Sequence, residues 1–179
     1  MKLHWSHAVL HVRDLDAMIA FYRDVLGFQI SDRGHIGGAQ GLELAFLSQV
    51  GSDHHQLAFI PVRGAGGGRG ALDHMAFRVA SFADVTGLIA RLRADGRATD
   101  LNPINHGNAW SIYFKDPEGN GLEVFCDTPW HVRQPQAQPW DPAIDEAEMR
   151  RRTAEQFGAE PDFGPMEEFL TAQRRRHGD

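Results

Sequence analysis

The sequence predicts an α+β fold in which one βαβββ unit is used twice. Three observations predict it. The order strand, helix, three strands recurs along the 179-residue chain. A histidine holds the same place in the first strand of each copy, His7 and His74. The spacing from that histidine to a polar residue in the last strand is also the same. It runs from His7 to Gln56 (56 − 7 = 49) and from His74 to Glu123 (123 − 74 = 49).

The first copy opens with a strand over 4–12, where β-branched and aromatic residues are interleaved. Asp14 is placed as an N-cap for a helix from Leu15 to Leu26, with Leu15, Met18, Ile19, Tyr22 and Leu26 on one face. Gly27 ends it. Three short strands follow near 28–33, 41–48 and 54–62, separated by glycine-bearing turns. Arg63 to Gly70 holds five of the nineteen glycines and reads as a linker. The pattern then restarts with a strand from Leu72 to Val79. Ser81 caps a second helix, with Asp84 able to reach back to the cap. Phe82, Val85, Leu88, Ile89 and Leu92 form its apolar face, Gly96 closes it, and strands follow near 98–102, 109–115 and 121–127. The modules are therefore 4–62 and 72–127, within one domain over 1–127. Residues 128–179 lie outside the repeat. They are proline-rich at first, then read as helices near 144–157 and 165–176, an extension expected to wrap the core or a partner subunit.

Composition narrows the function classes. The chain is 42% hydrophobic, enough for one well-buried core, and its formal net charge is -6. No basic face of the kind nucleic-acid binders carry is visible. The runs Arg150-Arg151-Arg152 and Arg174-Arg175-Arg176 sit among acidic residues and read as solvated helix faces. Cys126 is the single cysteine, so no intrachain disulfide can form. The start of the chain does not read as a signal peptide, and no stretch nears the roughly 18 apolar residues of a membrane helix. A soluble cytoplasmic protein, expected as a homo-oligomer and most simply a dimer, is the resulting expectation.

Alternation assigns the side chains to faces. Met75, Phe77 and Val79 share one side of their strand, and Leu72, His74 and Ala76 the other. Leu122 and Val124 oppose Glu123. The apolar sets belong under the helices, which leaves His74 and Glu123 on the open, concave face; His7, with Trp5, Val9 and His11, belongs there too. Two imidazoles and a carboxylate on one face can bind a divalent metal and leave other positions open, the 2-His-1-carboxylate arrangement of non-haem Fe(II) oxygenases.

The segment His7-Ala-Val-Leu-His-Val-Arg-Asp-Leu-Asp, with Phe21-Tyr22-Arg-Asp-Val-Leu-Gly27-Phe28, resembles the first module of vicinal oxygen chelate proteins. Leu72-Asp-His74-Met-Ala-Phe and Asp116-Pro-Glu-Gly-Asn-Gly-Leu-Glu123 resemble the second. The resemblance covers roughly 7–127. It implies an eight-stranded cup made of the two modules, with a metal inside held by His7, His74 and Glu123. These motifs are shared by glyoxalases, epimerases and resistance proteins. A longer match is more specific. Ile104-Asn-His106, then Ile112-Tyr113, Asp116-Pro117-Glu-Gly119 and Glu123 resembles the signature of type I extradiol ring-cleaving dioxygenases.

That resemblance implies Fe(II), or Mn(II), as cofactor and an aromatic diol with O2 as substrates. It also implies roles for His106 and Tyr113 in hydrogen-bonding the diol. The stretch Asp53-His54-His55-Gln56 resembles the paired-histidine strand of the same enzymes and implies His55 as the acid/base. The repeat spacing instead turns Gln56 toward the metal, as an alternative fourth ligand. A His-Gln-His-Glu set resembles methylmalonyl-CoA epimerase, so a metal-dependent isomerase or epimerase of glyoxalase type is the second reading. A non-catalytic small-molecule binder or resistance protein of the same fold is the third. The substrate's ring substituent is not encoded in any motif.

Overall fold

A computed structural model of the chain describes residues 1, 3–38, 40–64 and 71–178. Residues 65–70, most of the glycine-rich linker, lie outside the described residues. The chain divides into two compact units, Met1–Ala71 with Asp116–Gly119, and Leu72–Lys115 with Asn120–Asp179. The eight strands of the two predicted modules are all present. Hydrogen bonding joins them, four to each unit, into two sheets, and a short strand from the C-terminal extension makes the second sheet five-stranded.

In the first unit β1 (Ala8–His11) leads to α1 (Leu15–Asp24), then β2 (Gln29–Ile36), β3 (Leu42–Ser48) and β4 (Leu57–Ile60), with sheet order β1-β4-β3-β2. The Asp14 side chain accepts from the Ala17 N–H at 2.9 Å, satisfying one of the open donors at the start of α1. The apolar stripe Leu15, Met18, Ile19, Phe21 and Tyr22 is buried. Each such side chain contributes about 1.5–3 kcal/mol when fully buried. The turn Asp116–Gly119 belongs to this unit. Glu118 Oε1 accepts from the backbone N–H groups of Arg13 (2.7 Å) and Asp14 (2.9 Å), and the Tyr22 hydroxyl donates to Asp116 Oδ2 at 3.1 Å.

The strand expected over 4–12 is shorter. β1 pairs in parallel with β4, whose ladder starts at Ala8 opposite Leu57, and the last bond before it runs from Ala8 N–H to Gln56 C=O (3.0 Å). His7 therefore stands just before the strand.

In the second unit β5 (Met75–Arg78) leads to α2 (Phe82–Asp95), β6 (Thr99–Asn105), β7 (Ala109–Lys115) and β8 (Gly121–Asp127). Ser81 caps α2 by accepting from Asp84 N–H at 3.2 Å, and Gly96 closes it at φ +75°. Trp110, Ile112 and Phe114 of β7 and Leu122, Val124 and Cys126 of β8 are buried on one face, as is the apolar stripe of α2, which packs against both strands. The opposite face carries the odd-numbered residues of β7 and β8.

Residues 128–179 add β9 (Trp130–His131), β10 (Gln138–Pro139), α3 (Glu146–Phe157), β11 (Gly164–Pro165) and α4 (Met166–His177). β10 extends the sheet to the order β10-β6-β7-β8-β5 by pairing with the β6 edge. α3 buries Met149, Thr153 and Phe157. Among the described residues, no helix is long and apolar enough to cross a membrane.

Candidate functional site

The register of three neighbouring strands builds the site in the second unit. Ala76 of β5 lies opposite Glu123 of β8, and Glu123 lies opposite Tyr113 of β7. Paired residues project from the same face of a sheet, so Glu123 and Tyr113 share it with Ala76 and with His74, two residues earlier. Gly121 lets His74 come in close. A Cβ there would lie 2.3 Å from the Asp73 carbonyl oxygen and 3.2 Å from the His74 Cβ.

Glu123 is only 8% exposed. Its Oε1 accepts from the buried Ser111 hydroxyl at 2.6 Å, and its Oε2 lies 3.2 Å from His74 Nε2. The other nitrogen of His74, Nδ1, donates to Asp73 Oδ2 at 2.8 Å. A neutral imidazole with its hydrogen on Nδ1 presents a bare lone pair at Nε2. Here that lone pair faces a carboxylate oxygen, an arrangement that only a proton or a cation between them reconciles. A buried carboxylate also requires compensation. The donor chemistry therefore fits a divalent metal, with Asp73 orienting the histidine and Ser111 the carboxylate. Among the described residues, no set of three or more His, Cys, Asp or Glu converges as a complete metal cage, so this unit supplies a pair of donors.

Tyr113 and His106 stand beside that pair. The Tyr113 hydroxyl is 3.0 Å from His106 Nε2, and its ring meets His74 edge-on at 5.2 Å between centroids. His106 Nε2 lies 3.8 Å from Glu123 Oε1, and His106 Nδ1 donates to the carbonyl of Gln136. Burial, reinforced by the hydrogen bond to Glu123 and the negative charges of Glu123 and Asp73, pushes the Tyr113 phenol well above its ordinary value. Tyr113 is thus a neutral donor across the working range.

The first unit gathers the other predicted residues. The rings of His7 and His55 are 4.4 Å apart, and His55 also stands against Phe46 and His54. Burial, with the neighbouring His7 and His54, lowers the pKa of His55, favouring the neutral base. The adjacent Gln56 is engaged elsewhere, its Oε1 accepting from the Gln49 N–H at 2.9 Å. Neither residue lies within β4, so strand alternation does not govern which way they point.

Sequence reasoning missed Asp73, Ser111 and the Gln136 carbonyl. Alternation could have found Ser111, which shares the face of Tyr113 and Glu123, and adjacency to His74 could have found Asp73. Nothing local marks Gln136.

Residues 4–124 match the family model described as "Glyoxalase/Bleomycin resistance protein/Dioxygenase superfamily". The chain is 26% identical over 140 residues to metapyrocatechase from Pseudomonas sp. (strain CF600), a match covering 77% of this chain and 44% of that protein. It is 30% identical over 131 residues to an iron-dependent extradiol dioxygenase from Rhodococcus jostii (strain RHA1), covering 68% of this chain and 42% of that one. The chain therefore spans less than half the length of either relative. A glyoxylase/bleomycin resistance protein/dioxygenase domain from Frankia sp. EAN1pec, a crystal structure, superposes with a TM-score of 0.61 at 26% identity. That match covers 73% of this chain and 96% of that one.

Proposed function

Since the chain belongs to the glyoxalase/bleomycin resistance protein/dioxygenase superfamily, we propose that it is an Fe(II)-dependent extradiol dioxygenase that opens the ring of a catechol-type diol with O2. The observation that carries this is the alignment of His74 Nε2 on Glu123 Oε2, with the Tyr113–His106 hydrogen bond beside it. The names of the two relatives support the same reaction class. His74 and Glu123 would hold the metal, with His7, assigned from its place in the repeat, as third ligand; Mn(II) suits the same donors. Bound there, the metal would supply a Lewis-acidic centre that lowers the pKa of a coordinated hydroxyl and leaves positions open for substrate and O2.

The chain's own groups do the rest. Ser111 keeps Glu123 Oε1 occupied and so presents Oε2 alone. On substrate binding Tyr113, a neutral phenol, gives up its hydrogen bond to His106 Nε2 and donates to a diol oxygen instead, which frees Nε2 for the second polar contact. His55, neutral by virtue of its surroundings, takes a proton from the diol at a ring nitrogen and later returns it to the ring-opened product. Overall, both atoms of O2 end in that product, and the carbon–carbon bond beside the diol is broken.

The test is anaerobic loading of the full chain with Fe(II), followed by a panel of catechols under air. One O2 should be consumed per ring-opened product. Turnover of a hemithioacetal or an acyl-CoA epimer under argon, with no oxygen uptake on any catechol, would replace this reading with that of a metal-dependent isomerase.

A further inference from the structure

His106 sits at the tip of the β6–β7 hairpin, where a side chain would ordinarily be loosely held. Here the tip is gripped by residues 128–157. The Thr128 hydroxyl donates to the Gly107 carbonyl at 2.6 Å. Gly107 has φ +78°, and a Cβ there would lie 2.4 Å from Val132 Cγ1, so the approach admits only glycine. Behind it, Asn105 Nδ2 donates to Thr153 Oγ1 and Gln156 Oε1, both at 3.0 Å, while Asn105 Oδ1 accepts from Gly107 N–H at 2.9 Å.

Gln134 joins this grip to the imidazole. Its Nε2 donates to the His106 carbonyl at 2.8 Å, and its Oε1 accepts from the Gln136 N–H at 2.9 Å. Gln136, tied down through its N–H, presents its own carbonyl to His106 Nδ1. A carbonyl can only accept, so the hydrogen of a neutral His106 is on Nδ1 and Nε2 is bare. Nε2 is the nitrogen beside Tyr113 and Glu123.

We infer that Gln134 is a positioning residue: through the Gln136 carbonyl it locks His106 as the Nδ1–H tautomer, with Nε2 aimed at the diol. The inference rests on the proposed contact of His106 with substrate. It gives residues 128–157 a task, the holding of a reaction-specific group on a hairpin that the repeat alone leaves unsupported.

Two-bond ¹H–¹⁵N correlation spectra of ¹⁵N-histidine-labelled full chain, kept diamagnetic with Zn(II), read the tautomer directly. At about pH 8.5, above the usual histidine range, the ring assigned by its loss in His106→Asn should show the Nδ1–H pattern. Gln134→Ala should lose it, and its kcat with a catechol should fall by up to roughly 10²-fold with KM little changed. Gln136→Ala should keep the pattern, because the carbonyl belongs to the backbone. Gln134→Glu, which retains the acceptor for Gln136 N–H and loses the donor to His106, should fall between. A wild-type Nε2–H pattern, or an unchanged Nδ1–H pattern in a folded Gln134→Ala, would overturn the inference. The spectrum needs no turnover. A locked tautomer in a chain that cleaves no catechol would uphold the lock and remove the proposed reaction.

Discussion

Replacing Thr153 by Val changes the outline of the side chain very little and removes a hydroxyl that three groups share. Thr153 is fully buried. Its Oγ1 accepts from Trp110 Nε1 at 2.9 Å and from Asn105 Nδ2 at 3.0 Å, and donates to the Met149 carbonyl at 2.9 Å. In Thr153→Val the Asn105 amide keeps Gln156 Oε1 as a partner. The indole N–H loses the hydroxyl inside a packed face. An unsatisfied buried donor costs about 1–3 kcal/mol, so a loss of about 2 kcal/mol is expected. At the roughly 2–4 °C per kcal/mol typical of chains this long, Tm should fall by about 4–8 °C. Thr153→Ser is the control. It keeps the hydroxyl and loses one methyl, a change worth about 1 kcal/mol by analogy with Ile→Val. Calorimetry of the three proteins should therefore rank wild type above Ser and Ser above Val. A valine variant as stable as wild type, and so above the serine variant, would mean that α3 is held by packing alone and that the hydroxyl hub contributes nothing.

Further outcomes are expected at the proposed metal centre and beyond it. Glu123→Ala and His74→Ala should abolish the binding of about one Fe(II) per chain, measured by anaerobic titration; full occupancy in either would refute the ligand assignment. Ser111→Ala should weaken Fe(II) affinity by roughly 10–100-fold, the effect of removing a group that orients a ligand. His55→Gln should keep its metal and lose roughly 10²–10⁴-fold in kcat, whereas Gln56→Ala should be mild; lost metal in Gln56→Ala with normal turnover in His55→Gln would reverse the two roles. Hydrogen bonds from Arg151 and then Arg152 hold the Glu148 carboxyl at about 2, against an ordinary 4.5. Its folded pKa is depressed, so its support for α3 is present above 4.5 and is lost as pH falls toward 2. Melts of wild type and Glu148→Gln should converge over that window, and also in high salt, because the pair is exposed.

The parts legible in the sequence are those fixed by local period. β7 and β8 fall over 109–115 and 121–127 as read, because their alternation is unbroken and one face is buried. Both main helices were marked by their caps, Asp14 and Ser81, although α1 ends at Asp24 and the chain then turns through Gly27 at φ +83°. The equal 49-residue spacings proved a weaker guide than they look. In the first unit Ala8 pairs with Leu57 (57 − 8 = 49), but in the second Met75 pairs with Leu122 (122 − 75 = 47). The two parallel registers differ by two residues. Glu123 is therefore diagonal to His74, whereas Gln56 continues the line of His7, and equal spacing does not make Gln56 the counterpart of Glu123. Thr153 with Trp110 and Asn105, or Gln136 with His106, join residues some 30 to 50 positions apart with no shared period. No reading of one strand or helix reveals them.

This difference in legibility follows a division among the predicted site residues. His74, Glu123 and Tyr113 owe their positions to β5, β7 and β8 and to the register that aligns them. The register alone is enough to align these donors, whatever the surrounding loops do. His55 and His106 lie off the strands, one before β4 and the other just past β6. Their directions depend on contacts outside the strand register: Phe46 and His54 around the first, Gln134, Gln136 and Thr128 around the second. If the strand-borne residues bind the metal and the loop-borne imidazoles handle the substrate's protons, a change of reaction on this fold needs no change in the sheets. It needs only a different grip on two loop ends, and residues 128–157 provide one of them.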